Sequence, residues 1–197
     1  MKRHGLRRYG VRVSAIVLLA AACADQTQRS DSTVIAARAE CAGGGGLLSG
    51  SQVGTLTLGI SADSAKALCP AFLDTIEYSE GETTSILIAM IGPDSLAGVL
   101  SGGVLFAIRT TSAAFQTVDS LGAGIPIGRL LTLQRLSGGF GEGDFYLFNE
   151  GQEACGISFR VDEATARRID PTMPVNAATF RPFAETGRVA SVLVRGC

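Results

Sequence analysis

The chain of 197 residues has no tryptophan and one histidine, His4. His4 sits in a basic head, so once that head is removed no Ser-His-Asp triad, Cys-His pair or histidine-ligated metal is possible. Carbohydrate stacking is left to a small set of tyrosines and phenylalanines, since aromatics are 6% of the residues. Lysine is almost absent, with only Lys2 and Lys66. The longest apolar run, Val13–Ala22, is about ten residues and too short to cross roughly 30 Å of hydrocarbon as a helix. Five of the 17 lysines and arginines precede residue 13, and none of the 18 acids does, which leaves the rest of the chain at a net charge of −6. An acidic body without clustered cations excludes nucleic acid as a partner.

What is present begins with export. Lys2, Arg3, Arg7, Arg8 and Arg12, the apolar run and the small residues Ala20-Ala21-Ala22 form a secretory signal peptide over 1–22. Ala20-Ala21-Ala22-Cys23 resembles the lipobox of bacterial lipoproteins, which implies acylation of Cys23 and a membrane anchor. Ala22-Cys23-Ala24 also fits an ordinary signal-peptidase site, which would leave a soluble periplasmic or secreted protein. Lipidation is the preferred expectation, because it leaves an even number of cysteines: Cys41, Cys69, Cys155 and Cys197. Four cysteines in an oxidising compartment read as two disulfides with three possible connectivities, and their spacing fits no zinc motif.

Residues 23–46 read as the lipidated cysteine and a flexible tether ending in four glycines, Gly43 to Gly46. Residues 47–197 are long enough for one domain with a sizeable core. Thr84–Ile91 is apolar on both faces and predicts a central strand. Gly92-Pro93-Asp94-Ser95 is a turn. Gly102-Gly103 joins Leu96–Ser101 to Val104–Thr111 as a hairpin. Asp144–Phe148 and Cys155–Val161 are further strands around Asn149, Glu150 and Gly151. Ser61 caps a helix through Leu68 that Pro70 stops. Gly128–Arg135 is a second helix and Asp162–Ile169 a third, short turn. Leu56-Thr57-Leu58-Gly59 matches Ile125-Pro126-Ile127-Gly128, and Gly102–Ile108 matches Gly187–Leu193. The expected fold is therefore α+β: two antiparallel meanders, each with one short covering helix, arising by internal duplication, with halves at about 53–111 and 121–197.

The helix-and-meander unit opened by Leu58-Gly59-Ile60-Ser61 and Ile127-Gly128 resembles that of small envelope lipoproteins of the outer-membrane-assembly type. It also resembles the tandem unit of β-lactamase-inhibitor proteins. The stretches Asp119–Gly128 and Cys155–Phe159 are similar to uncharacterised exported bacterial proteins. The resemblance implies protein binding rather than catalysis, and it carries over no contact residue. The same pattern puts Cys155 on the apolar face of its strand and Cys69 at a helix end, which suggests the pairs Cys69–Cys155 and Cys41–Cys197.

Chemistry-bearing residues are few. Glu142 and Asp144 flank Gly143, Glu150 and Glu153 follow, and Asp74, Glu77, Glu80 and Glu82 surround another turn. Such pairs serve glycoside hydrolysis or bind Ca²⁺ when they converge, and otherwise keep turns solvated. A serine nucleophile would lack a base apart from Lys66. The proline-rich stretch Asp170–Thr186 carries Phe180, Arg181 and Phe183. These are either a partner-binding anchor or rings folded back on the core, the second being the simpler reading. The sequence thus points to a non-enzymatic, membrane-anchored envelope protein with an unknown protein partner, no cofactor and no metal. A carboxylate-based hydrolase and an inhibitor of a secreted enzyme are the alternatives.

Overall fold

Antiparallel pairing dominates the computed structural model, which describes residues 41, 46–79, 81–141, 143–151 and 155–197. The signal peptide, Cys23 and most of the tether lie outside the described residues, as do Glu80, Glu142 and Glu153. All described residues belong to one compact unit, Val34–Cys197. Three two-residue strands come first: β1 (Leu48–Ser49), β2 (Gln52–Val53) and β3 (Leu56–Thr57). Helix α1 (Ala62–Leu68) follows. It is capped by Ser61, whose hydroxyl accepts from the Ser64 N–H, and it ends at Cys69 before Pro70. Four strands then form a meander: β4 (Leu73–Ser79), β5 (Glu82–Ile91), β6 (Asp94–Ser101) and β7 (Val104–Thr110). After a loop and a 3-10 helix (Ile127–Thr132), β8 (Leu136–Gly141), β9 (Asp144–Asn149) and β10 (Gly156–Val161) form a second meander. Short helices α2 (Glu163–Ala166) and α3 (Ala177–Phe180) and a 3-10 turn (Arg181–Phe183) precede the last strand, β11 (Val189–Arg195).

The α+β class is as expected, but the two meanders are a single eight-stranded sheet in the order β4-β5-β6-β7-β11-β10-β9-β8. Each half contributes four strands rather than three. The second covering helix is 3-10 rather than α, with Pro126 as an N-cap that has no side-chain acceptor to offer. The stretch expected as a loop, Asp170–Thr186, holds α3 and a 3-10 turn, because Asn176 accepts from the Ala178 and Thr179 N–H groups and starts a helix.

The two halves are related by a pseudo-twofold, as matched hydrogen bonds show. In the first half the Gly59 N–H donates to Leu105 O, the Leu105 N–H to Ile60 O, and the Ala62 N–H to Gly103 O. In the second half the Gly124 N–H donates to Val189 O, the Val189 N–H to Ile125 O, and the Ile127 N–H to Gly187 O. Gly59 and Gly124 both have positive φ, 87° and 81°, where a side chain would be strained. The β-bulges correspond as well: one falls between Val99 and Leu100 and the other between Arg160 and Val161, each opposite the start of the closing strand. Strand pairing then makes Arg109 and Leu193, which face each other across β7 and β11, counterparts of one another. The register differs from the one suggested by sequence. Gly59 corresponds to Gly124 rather than Gly128, and Gly103 rather than Gly102 corresponds to Gly187.

The core lies on one face of the sheet. Leu87, Ala89, Leu96, Leu105, Ile108, Leu147, Phe159, Val161, Val189, Val192 and Val194 point down onto α1, the 3-10 helix, β1–β3 and the α3 segment. Few covering residues are regular structure, so much of this layer is loop.

The cysteine pairing corrects the expectation. The disulfides are Cys41–Cys69 and Cys155–Cys197, closing spans of 28 and 42 residues. Cys69 cannot meet Cys155, because α1 starts against β7 in the first half, through Ser61 and Ala62, while Cys155 belongs to the second. The Gly156–Arg195 pair instead sets the start of β10 beside the end of β11, and Cys155 and Cys197 are the residues just beyond it.

Candidate functional site

The opposite face of the sheet carries no covering element among the described residues. Side chains of β7 and β11 on this face include Arg109, Leu193 and Arg195, since paired residues of antiparallel strands point the same way. Arg109 on β7 donates to the Glu77 carboxylate on β4 at 2.9 Å, reaching over β6 and β5. Three strand spacings amount to about 14 Å in a flat sheet. The pair can close only because the sheet curls, with this face concave. The arginine stem then lies over small and aliphatic residues, which explains why Ile86 (5% exposed), Ala97 (2%) and Ala107 (3%) are buried without a layer above them. In the second half Arg160 donates to Asp144 Oδ1 and to Ser191 Oγ, both at 3.0 Å.

Beside that second ion pair the face opens into a cavity of about 320 Å³. Its floor is Ser158 and Leu193, one wall is Tyr146 and Phe148, and Arg195 stands at its rim. The fourth side is the glycine-rich strand β8, where Gly139 and Gly141 present no side chain. A Cβ at Gly139 would meet nothing within 4 Å, so the glycine itself leaves this space open.

A second feature lies on the covered side, at the outer end of the first half. Ile76 (54% exposed) and Tyr78 (78%) project from β4 beside Ser85, and Leu100 is only half-buried. The pseudo-twofold makes Phe140 the counterpart of Ile76 and Phe145 that of Ser85. In the second half that place is filled over Phe145, which is buried, while Phe140 stays half exposed. Phe140 stacks edge-on against Phe145 (4.8 Å between centroids), Phe145 meets Phe180 (5.5 Å), and Phe180 meets Phe183 (6.4 Å). The filling comes from the 27 residues between Val161 and Val189, whereas β6 and β7 are joined only by Gly102-Gly103. The same end of the same unit is thus covered by the chain itself in one half and uncovered in the other.

Most residues singled out from sequence fall elsewhere. Phe180 and Phe183 are buried, packed on Phe145 and under Arg168, and so are not presented as anchors; Arg181 alone of the three is exposed. Cys23 and Glu142 lie outside the described residues. Asp144 is held by Arg160. Lys66 pairs with Asp74 at 2.6 Å. Asp162 caps α2 and also accepts from the Arg188 N–H at 2.7 Å, which ties the end of β10 to the start of β11. Burial alone would raise its carboxyl pKa, but the amides of Arg188 and Thr165 outweigh that and hold it below the usual range. Arg195, Gly139, Ile76 and Tyr78 were missed. The signals were the Gly-Gly-Phe-Gly run of β8 and the apolar residues of β4, which alternate too poorly to read as a half-buried strand.

The fold has a solved counterpart. It is similar to the uncharacterised protein YfeY from Escherichia coli, with a TM-score of 0.51 over 74% of this chain and 97% of that one. At 15% sequence identity the likeness is one of fold alone. No protein-family model and no curated protein matches the chain.

Proposed function

We propose that this is a non-enzymatic, lipid-anchored protein of the bacterial envelope that binds another protein through the uncovered end of its first half. Two disulfides are features of an oxidising, exported compartment. Among the described residues no helix is long and apolar enough to cross a membrane, so attachment rests on the lipobox and acylation of Cys23.

The observation that carries the reading is the asymmetry between halves. The second half covers its sheet end with a helical turn bearing Phe180 and Phe183, three residues apart. The first half offers Ile76, Tyr78 and Leu100 around the small Ser85 at the equivalent place. A partner segment built like the insert, a short helical turn with two aromatic side chains, fits there. Exposed aromatic and aliphatic clusters of this kind mark protein interfaces.

Affinity purification from detergent-solubilised membranes tests it. The wild-type protein is expected to bring down a stoichiometric partner, and Ile76→Glu with Tyr78→Glu to lose it at unchanged melting temperature. Retention of the partner by the double variant would overturn the assignment, and release of Cys23→Ser protein from the membrane tests the anchor separately.

A further inference from the structure

From the cavity on the concave face we infer that the second half binds a small carboxylate with a flat or short apolar body. The two halves again supply the argument. In the first half Glu77 and Arg109 form an ion pair across the face. The twofold counterpart of Glu77 is Gly141, and that of Arg109 is Leu193. Where one half holds its own carboxylate, the other has a glycine, open space and a guanidinium, Arg195, two residues along the same strand. The Arg195 guanidinium has no hydrogen-bond or ion-pair partner among the described residues. A guanidinium takes a planar carboxylate through two parallel hydrogen bonds. A ligand carboxylate on Arg195 would restore the pairing that Glu77 provides in the first half. The Ser158 hydroxyl is a further donor on the floor of the cavity.

The remaining walls set the rest of the ligand. Tyr146, Phe148 and Leu193 give apolar surface, and the glycines of β8 let a ring or acyl chain lie against the strand. A volume of about 320 Å³ is at the small end of ligand cavities, on the order of ten water molecules in liquid. It suits an aryl-alkyl carboxylate and is too small for a phospholipid. This site is on the other face and in the other half from the proposed partner surface, so either can fail alone.

The experiment is titration of the full-length, disulfide-intact protein with 3-phenylpropanoate and, in parallel, its neutral amide, read by calorimetry and by amide shifts in ¹H–¹⁵N spectra. The carboxylate is expected to bind with shifts at Gly139, Gly141 and Ser158, and the amide at least tenfold more weakly. Arg195→Gln should cost tenfold or more, Arg195→Lys less, and Gly139→Leu should abolish binding by filling the cavity. Gly139→Ala is the milder variant should the leucine disturb folding, and it should weaken binding by a smaller factor. Equal affinity for acid and amide, affinity unchanged in both Arg195→Gln and the folded Gly139 variants, or no binding at 10 mM would overturn the inference.

Discussion

Asp162 shows how one side chain is given two structural duties. Its carboxylate caps α2 through Thr165 and fixes the start of β11 through the Arg188 amide. Asp162→Ala should cost about 1–2 kcal/mol in urea unfolding at pH 7, the range for a lost N-cap. The sign with pH follows from the lowered carboxyl. Its contribution is fully present above the unfolded value, about 3.9, and is lost as pH falls through the lower folded value. The wild type should therefore lose its advantage over Asp162→Ala as pH falls below about 4; a gap that stays constant through the acid limb would contradict this. Arg109 makes a different residue-scale prediction. Its ion pair is part-exposed, and such pairs are worth about 0–1 kcal/mol. The stem over Ile86 and Ala97 matters more, so Arg109→Met should be nearly neutral in thermal unfolding and Arg109→Ala clearly destabilising.

At the scale of elements, the insert between β10 and β11 is the main stabiliser of the second half. Phe180 is fully buried between the rings of Phe145 and Phe183. Phe180→Ala should cost about 3–5 kcal/mol in denaturant unfolding, whereas Arg181→Ala, on the exposed side, should cost less than about 0.5 kcal/mol. Non-reducing peptide mapping should yield Cys41–Cys69 and Cys155–Cys197 peptides, and a Cys69–Cys155 peptide would contradict the fold described. Each bridge contributes about 2–4 kcal/mol. Much of this level was legible in the sequence. Ser61 before an apolar helix, Gly102-Gly103 between two β-rich runs and Asp162 before a short turn each carry a local physical signal, and each element forms where expected. β4 and β8 were not legible. Leu73–Ser79 mixes acids with exposed apolar residues because it is an edge strand, and Leu136–Gly141 is half glycine. Neither alternates cleanly, so the sequence pattern predicts three strands in each half.

For the molecule as a whole, the likeness of the two halves was visible in outline but not in register. Few residues besides Gly59 and Gly124, Leu87 and Leu147, and Gly103 and Gly187 are shared between the halves, so glycine-valine matches misplaced the alignment by one to four positions. Paired bulges and matched hydrogen bonds fix it. The candidate sites were illegible for the same reason. Both depend on comparing one half with the other: an aromatic insert present in the second and missing in the first, a carboxylate present in the first and missing in the second. Each half thus has a surface that its counterpart has satisfied internally. The sharpest test of the partner surface is a photocrosslinking amino acid at Tyr78 in native membranes, with Met173, exposed in the second half, as control. Tyr78 should give one discrete adduct to another protein, the crosslinked peptide should carry two aromatics three or four residues apart, and Ile76→Glu should remove it. No adduct at Tyr78, an adduct within the same chain or to a second copy of it, or the same products at Met173 would contradict it.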